Sequence, residues 1–491
     1  MRLTTHPRRA RRLLASTTVA AALALVAACG GSSSSGGSNG TGGSQAADLP
    51  PCPLDALDKA TGPVEVVLWH PLAAKTKESL EQLAEQYNAS QSKVRVRVEA
   101  QGSYAEQWKK FQSGAKTKDL PAIAVLEDIS LQAVADSGVV LPAQSCINAS
   151  KTDMNDFVQS AIDFYSIKGA MWPATVNLSS PLLYFNRNHF RKAGLDPAKP
   201  PTTLAELRTV AEKIKAAGVV DKPLALSLQP WFYETWMTGA TSPMVDNDNG
   251  RGGGTTQAAA FDSEQGRELM TWYADMIRDG LLDPIPYQGG DVGQYLAMAN
   301  QKASMTIETS TAATSVKAFL QGDTSVAAGN DTSSVDLNAL DINASKLPGI
   351  KEPGKVQISG NGWYITNTTP PEVQAAAWDF ITWWNSTPTQ VQWNLKGSYL
   401  PYRVSAAKDA ALVDAWQNDI SGRWLAISYD QLQTGVDPKF PGPLIGPYDQ
   451  VRDSMKKALD SVAFAGQAPD AAVKQAADES TKAIEAYNKE I

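Results

Sequence analysis

The side chains that most often carry catalysis are few and scattered in this chain. Its three histidines are His6, His70 and His189, and their spacing matches neither a His-Glu-x-x-His helix nor another metal-ligand cluster. Residues 36–40 spell Gly-x-Ser-x-Gly, but that motif exposes a nucleophile only where a strand runs into a helix, and here it lies in a glycine- and serine-rich spacer. Carboxylates are plentiful and no pair stands out, so a glycosidase pair stays open. The sequence therefore predicts binding rather than catalysis, without cofactor or metal.

The first 28 residues have the pattern of an export signal. Residues 1–12 carry five arginines and no acid, and residues 13–28 are apolar or small, which gives an apolar region too short for a comfortable membrane helix. The stretch 26–29, Val-Ala-Ala-Cys, resembles the lipobox of bacterial lipoproteins. We expect a signal peptide at 1–28, a lipid on Cys29, and a flexible tether at 29–48 that holds the protein at the outer face of the cell membrane.

Two cysteines remain after Cys29, at Cys52 and Cys146. Outside the cytoplasm an even number of cysteines favours a disulfide, which would stabilise the fold mainly by restricting the unfolded chain. Two buried free thiols are the alternative.

The overall composition is that of a soluble globular protein. A net charge of −7 without a basic run argues against nucleic acid as a partner and against electrostatic binding to anionic lipid. The 13 tryptophans are many for the length. Tryptophan in an exported protein can bind sugars or cations through its ring face, although core packing explains most individual positions better.

The pattern of apolar residues predicts an α/β protein with two domains. Apolar or alternating runs at 64–70, 93–100 and 122–127 predict strands, with helices between them, and this order is typical of a parallel sheet covered by helices. After residue 200 the pattern is mostly helical. The helix from Thr203 begins with a capping box to Glu206, and a second helix, at 262–280, is capped by Asp262.

The segment 181–207, PLLYFNRNHFRKAGLDPAKPPTTLAEL, resembles one shared by solute-binding proteins of ABC importers. The similarity is greatest to the members that bind glycerol phosphates, and further motifs occur in the same order as in those proteins, two before this segment and three after it: GSYAEQW, LPAIAVLEDIS, GNGWYI, LKGSYLPYR and GPYDQVR. The resemblance implies a two-lobed periplasmic-binding-protein-like (type II) fold with a ligand cleft and a hinge of several crossings, near 177–180, 307–310 and 357–360. One lobe would hold 49–177 and about 308–358, and the other about 178–307 and 359–491.

The same resemblance implies a set of ligand-binding residues. Arg452 would grip a phosphate with its planar fork, helped by serine and tyrosine hydroxyls, while Asp128, with Glu127 as the competing choice, would bind hydroxyl groups at the other end. Without the resemblance, Arg452 is better explained as a surface ion pair. The implied residues are Tyr104, Asp128, Ser179, Ser310, Gly360, Tyr399 and Arg452.

One position departs from the family pattern. Where glycerol-3-phosphate binders carry a tryptophan after the Pro-Pro-x-Thr turn, this chain has Leu204. A smaller side chain would widen the pocket, so a larger glycerophosphodiester such as glycerophosphocholine is expected, with its ammonium near Asp128, Tyr104 and either Trp231 or Trp236. Ordinary drift at a helix start explains Leu204 equally well.

The function expected from the sequence is therefore transport. A monomeric, lipid-anchored binding protein would capture a glycerophosphodiester or glycerol-3-phosphate and deliver it to ABC permease subunits. An oligosaccharide-binding protein of the same fold is the first alternative. A secreted glycerophosphodiester hydrolase is the second.

Overall fold

The computed structural model describes residues 49–289, 292–327 and 329–491, which all belong to one compact unit, Ser44–Ile491. The expected signal peptide, the lipidated Cys29 and nearly all of the tether lie outside the described residues. Two hydrophobic cores form within the unit, each around its own β-sheet. We name the parts around these sheets lobe one and lobe two, which matches the expected α/β fold.

Lobe one contains a six-stranded sheet in the order β2-β1-β3-β13-β4, with β7 also paired to β13. β1, β2 and β3 are parallel, whereas β13 runs antiparallel to β3, β4 and β7. Alternate residues of β1 and all of β3 up to its last residue are buried, as the apolar runs predict. The strands are β1 (Val64–His70), β2 (Val94–Ala100), β3 (Ile123–Glu127), β4 (Val140–Leu141), β7 (Thr175–Ser179) and β13 (Ser359–Thr366).

Lobe two contains a five-stranded sheet in the order β10-β9-β11-β8-β12. Strand β8, which lies between β11 and β12, is buried at every residue. β8 runs antiparallel to both neighbours, β11 and β12. The strands are β8 (Pro181–Asn186), β9 (Leu224–Ser227), β10 (Leu282–Ile285), β11 (Met305–Thr309) and β12 (Ile342–Lys346); a separate hairpin is made by β5 (Ser166–Ile167) and β6 (Ala170–Met171).

Helices pack on both sheets, and their ends follow local sequence signals. Ser103 and Glu106 form a reciprocal capping box at the start of α2, and the side chain of Thr203 caps α7 as expected. Ser263 caps α10 in place of the expected Asp262, which instead pairs with Arg267. The helices are α1 (Ala74–Ser90), α2 (Tyr104–Thr117), α3 (Leu131–Asp136), α4 (Ala143–Ser150), α5 (Gln159–Phe164), α6 (Arg187–Lys192), α7 (Leu204–Ala216), α8 (Pro230–Gly239), α9 (Asp246–Asn249, a single turn), α10 (Glu264–Arg278), α11 (Gly293–Ala299), α12 (Ala313–Leu320), α13 (Pro371–Trp384), α14 (Thr387–Gly397), α15 (Ala410–Asn418), α16 (Ile420–Gly435), α17 (Tyr448–Ala465) and α18 (Pro469–Tyr487).

The chain crosses between the lobes at Ser180, which joins β7 to β8. A second crossing lies beside the first, because the backbone N–H of Ser310 donates to the carbonyl oxygen of Ser180 at 2.9 Å. The buried Gln431 of α16 anchors the first crossing: its Nε2 donates to Ser180 Oγ at 2.8 Å and to the carbonyl oxygen of Pro181 at 2.7 Å. These hydrogen bonds hold the crossings together as one hinge.

The segments after residue 308 do not all lie in the lobe that was predicted for them. We expected 308–358 in the first lobe and 359–491 in the second, but β12 pairs with β8 in lobe two, and β13 pairs with β3 in lobe one. Helices α13 and α14 then pack on lobe one, α16 contacts β12 and β8 of lobe two, and α17 and α18 pack on lobe two. The prediction failed because the pairing of a strand depends on partners more than 100 residues away, which periodicity does not identify.

Cys52 and Cys146 form a disulfide with a Cα–Cα distance of 4.9 Å. It fastens the short 3-10 helix Leu54–Lys59, which carries little buried surface of its own, to α4 of lobe one. Within the described residues, none of the helices combines the length and the apolar character needed to cross a bilayer.

Candidate ligand cleft

A cleft of about 850 Å³ lies between the two sheets. It is lined by residues at or just beyond the C-terminal ends of strands of both lobes, such as Glu127 after β3 and Gln229 after β9. In open α/β sheets this edge is the usual place for a ligand. Five of the lining residues are tyrosines: Tyr104, Tyr184, Tyr287, Tyr295 and Tyr399.

Tyr104 and Tyr399, which we call the tyrosine pair, are held by a chain of buried amides. Nδ2 of Asn361 donates to both hydroxyl oxygens, at 2.8 and 2.9 Å. Asn361 is itself fixed by Nδ2 of Asn177 at 2.8 Å, and Asn177 by Nε1 of Trp393 at 2.9 Å. This chain of hydrogen bonds therefore runs from the core of lobe one to the floor of the cleft.

Counting protons shows what the tyrosine pair offers to a ligand. The two hydroxyls lie 3.1 Å apart, so one proton can bridge them, and Asn361 uses both of its own protons on the tyrosine oxygens. Burial raises the pKa of Tyr399 to about 12 and that of Tyr104 well above its ordinary value, so both hydroxyls stay protonated at neutral pH. One O–H is therefore left to donate to a ligand oxygen.

Arg452 lies in a second group of polar side chains, which we call the arginine cluster: Arg452, Glu234, Glu127 and Asp128. Glu234 accepts from Nε of Arg452 at 2.9 Å and from Nη2 at 2.8 Å, and Glu127 accepts from Nη1 at 2.6 Å. Asp128 Oδ1 lies 3.7 Å from Nη2. The planar fork of the guanidinium is thus already occupied by a carboxylate. Because Glu127 and Asp128 belong to lobe one and the other two to lobe two, the cluster also joins the lobes.

The arginine cluster holds three carboxylates against one guanidinium. Burial raises the pKa of Asp128 to about 7; Arg452 opposes the shift, and the negative charges of Glu127 and Glu234 add to it. Oδ1 of Asp128 accepts no hydrogen bond from the described residues, while Oδ2 accepts from the backbone N–H of Gly360 at 3.2 Å. Near neutral pH this carboxyl is therefore partly protonated.

The cleft itself is acidic. Among the described residues that line it, Lys456 is the one basic side chain, and its Nζ donates to Asp460 at 2.7 Å. The acidic residues are Glu106, Glu127, Glu308 and Asp453. Burial raises the pKa of Glu308, whose carboxylate accepts from Nε2 of Gln294 at 2.7 Å. The lining can accept hydroxyl protons or a cation more readily than it can hold a free anion.

A comparison with known proteins decides the family. Residues 82–421, more than half of the chain, match the model of the bacterial extracellular solute-binding proteins. The chain belongs to this family. Two curated relatives of this solute-binding protein are named sn-glycerol-3-phosphate-binding periplasmic protein UgpB. The one from Brucella abortus (strain 2308) is 24% identical over 369 residues, 74% of this chain and 80% of the relative. The one from Yersinia pestis bv. Antiqua (strain Antiqua) is 22% identical over 414 residues, 83% and 90%.

Solved structures resemble the solute-binding protein in fold. UgpB of Mycobacterium tuberculosis, in complex with glycerophosphocholine, has a TM-score of 0.68 at 16% identity, covering 87% of this chain and all of that one. The GacH receptor of Streptomyces glaucescens, a protein solved unliganded and with acarbose, has a TM-score of 0.70 at 19% identity, covering 86% and 99%. Both glycerophosphate and sugar binders therefore share the two-lobed architecture.

Two of the residues expected from the sequence line the cleft of the solute-binding protein. Tyr104 and Tyr399 meet there although 295 residues separate them. Of the two acidic candidates, Glu127 lines the cleft and Asp128 is buried beside it, 5% exposed. Glu127, the competing choice, is thus the one of the two that lines the cleft, and a ligand role for either residue stays a prediction.

Three of the expected residues lie at the hinge. Ser310 is fully buried and its Oγ accepts from the backbone N–H of Ser180 at 3.3 Å. Ser179 pairs with Ser359 in sheet one and is 5% exposed. Gly360 has a φ of +136°, and a Cβ there would lie 1.9 Å from the carbonyl oxygen of Asn177, so only glycine lets β13 approach β7 so closely. Their contacts serve the crossings, and a ligand role for them stays a prediction.

Leu204 and Trp231 lie in the hydrophobic core of lobe two, 6% and 7% exposed. Trp236, the alternative to Trp231, is also in this core and donates from Nε1 to the carbonyl oxygen of Pro348 at 2.8 Å. None of the three is among the residues that line the described cleft. Core packing accounts for these side chains, and a widening of the pocket at Leu204 finds no support in the geometry.

Sequence reasoning missed three residues of the site, and each had a visible signal. Glu234 is the only charged residue in α8, PWFYETWMTG, and a lone acid in an apolar helix requires a buried partner. Glu308 shares a strand face with Thr306 in β11. Asn361 lies inside the GNGWYI motif, immediately before an apolar run. Among the described residues no group of three or more possible ligands is placed to hold a metal ion.

Proposed function

We propose that this protein is the solute-binding component of an ABC importer and that its ligand has no net negative charge. The preferred ligand is a glycerophosphodiester with a cationic head group, such as glycerophosphocholine. The observation that carries this proposal is the contrast in charge: the charged residues that line the cleft are four acids and one lysine, and the guanidinium of Arg452 is already paired with Glu234 and Glu127.

A zwitterionic ligand fits both kinds of group in the cleft. The spare hydroxyl proton of the tyrosine pair can donate to a phosphate or glycerol oxygen. The carboxylates of Glu127 and Glu308, with tyrosine rings nearby, favour a quaternary ammonium by charge and by cation-π attraction. Glycerol-3-phosphate would bring an unbalanced dianion into the same acidic surroundings, so we expect it to bind more weakly.

Isothermal titration calorimetry of the purified protein with glycerophosphocholine, glycerol-3-phosphate and maltose tests this proposal. We expect saturable binding of glycerophosphocholine, and binding of glycerol-3-phosphate at least tenfold weaker, which corresponds to about 1.4 kcal/mol. Tighter binding of glycerol-3-phosphate than of glycerophosphocholine would contradict the proposal.

A neutral oligosaccharide is the second candidate. The specific observation in its favour is that Arg452 needs no ligand anion, since protein carboxylates already satisfy its donors, while five tyrosines offer ring faces and hydroxyls to sugar rings. Binding of maltose without binding of either glycerophosphate ligand would select this candidate.

The membrane attachment is a separate proposal, supported by the lipobox-like sequence before Cys29. Lipid on Cys29 would place the binding protein beside its permease on the outer face of the membrane. Replacement Cys29→Ser should then move the protein from the membrane fraction to the culture medium. An unchanged distribution would argue against lipidation.

A further inference from the structure

One side of the cleft is built from aliphatic side chains. Val316, Phe319 and Leu320 lie three and four residues apart on α12, so they share one helix face, and all three line the cleft. All three are partly exposed rather than fully covered by protein. Val316 and Leu320 also pack against the core of lobe one, as is usual for the apolar stripe of an amphipathic helix, but part of each of the three side chains faces the ligand space.

The apolar surface continues on the neighbouring elements. Leu72 follows β1 in lobe one, Leu296 lies on α11, and Leu340 precedes β12 in lobe two; all line the same cleft. We call these six residues, Leu72, Leu296, Val316, Phe319, Leu320 and Leu340, the apolar wall. The wall is continuous with the cavity that contains the tyrosine pair, since one cavity of about 850 Å³ is lined by both.

Aliphatic side chains determine what can lie against them. They offer no hydrogen-bond partner, so a sugar hydroxyl or a phosphate oxygen placed there would lose its water without compensation. A hydrocarbon chain gains from the same contact in proportion to the area removed from water. Elsewhere on the described surface large apolar side chains are seldom exposed, with Phe464 and Ile491 as the examples. The wall is therefore not part of a generally apolar surface.

We propose that the apolar wall receives the hydrocarbon chain of an amphiphilic ligand, whose polar head lies at the tyrosine pair and Glu127. This inference rests on the proposed function and narrows its ligand to a glycerophosphodiester that keeps one acyl chain, as in a lysophospholipid. The cavity volume agrees with it, because about 850 Å³ is near the upper end of the range for small-molecule sites.

Ligand pairs that differ only in the chain test the inference directly. The affinity of the wild-type protein is measured for glycerophosphocholine against hexanoyl- and octanoyl-lysophosphatidylcholine, each below its micelle concentration, and for maltose against octyl maltoside. We expect each buried methylene to tighten binding by up to about fourfold. Equal affinities within both pairs would overturn the inference and leave the proposed function intact. A gain in affinity from the chain in the maltose pair alone would support the wall as the binding site of a hydrocarbon chain. It would contradict a glycerophosphodiester as the head group.

A matched pair of variants locates the effect. Phe319→Ser should reduce the affinity ratio between the octanoyl ligand and glycerophosphocholine by about tenfold, because a buried aromatic contact is lost. Phe464→Ser makes the same chemical change at an exposed position and should leave the ratio unchanged. Equal ratios in wild type and Phe319→Ser, despite a gain from the chain, would place the chain elsewhere and overturn the assignment to the wall. Should Phe319→Ser fail to fold, Val316→Thr, which keeps the shape of the side chain, replaces it.

Discussion

The tyrosine pair and the arginine cluster lie close together in the cleft region, but they differ in whether a hydrogen-bonding group is left for a ligand. In the arginine cluster, Glu234 and Glu127 take up Nε, Nη1 and Nη2 of Arg452. In the tyrosine pair, one of the two hydroxyl protons forms the hydrogen bond between the tyrosines, which leaves the other proton for a ligand. A charged residue in a cleft is thus not by itself a binding residue. A ligand can use a polar group only if other protein groups do not already occupy its donors and acceptors.

The two groups therefore have different roles. Arg452 neutralises carboxylates of both lobes and so stabilises their arrangement, while the tyrosine pair is ready to contact the ligand. Substitutions in the arginine cluster should therefore change stability first, and substitutions in the tyrosine pair should change affinity first.

The largest effect is expected from Arg452→Ala. The change leaves the buried Glu234 and its neighbours without a positive charge, so the free energy of unfolding should fall by about 3–5 kcal/mol at pH 7. Denaturation with urea measures this loss.

Arg278→Ala is the control for Arg452→Ala. The side chain of Arg278 is itself 67% exposed, so water and salt screen its ion pairs and their loss should change the free energy of unfolding little. If Arg452→Ala cost no more stability than this control and yet abolished ligand binding, Arg452 would be a ligand residue and the contrast between the two groups would fail.

The next effect concerns the pH dependence of stability at Asp128. Its pKa is about 7 in the folded protein and lies near 4 in an unfolded chain, so the folded state binds the extra proton between these values. Stability contributed by this group is therefore present below pH 4 and lost as the pH rises toward 7. Asp128→Asn should remove the loss, which raises stability at pH 8 relative to wild type by about 2 kcal/mol, with little difference at pH 4.

Urea denaturation of wild type and Asp128→Asn at several pH values checks this expectation. Parallel pH profiles for the two proteins would mean that Asp128 stays ionised in the fold. The balance of charge in the arginine cluster would then differ from the one described.

The smallest effect on stability, but a clear one on affinity, is expected from Tyr399→Phe. The change removes one of the two hydroxyl groups and the hydrogen bond that orients the other, and we expect about tenfold weaker binding of glycerophosphocholine, or about 1.4 kcal/mol, by calorimetry. Tyr402→Phe is the matched control, since Tyr402 is buried and does not line the cleft. Equal losses in both variants would contradict a special role for the pair.

Much of the fold followed from local sequence patterns. The buried run of β3 and the cap at Thr203 both depend on residues close in the chain, and the structure has them where they were expected. The lobe membership of β12 and β13 did not follow, because it depends on pairing with β8 and β3, which lie far away in sequence.

Residues of the site were predictable only where a short sequence motif was enough to identify them. Tyr104 and Tyr399 came from motifs and lie together in the cleft. The partners of Arg452 could not be derived, because Glu234 is 218 residues away and lies on a helix that sequence reasoning left out of the site. A buried ion pair changes the meaning of an arginine, and its partner is visible only in three dimensions.

The most direct test of the account is a crystal structure of the protein with glycerophosphocholine. We expect the ligand oxygens within hydrogen-bonding distance of the tyrosine pair, the ammonium group among the carboxylates of the cleft, and Arg452 still paired with Glu234. A phosphate bound to the guanidinium of Arg452, with Glu127 and Glu234 displaced, would contradict the central claim that the arginine cluster is structural and the tyrosine pair binds the ligand.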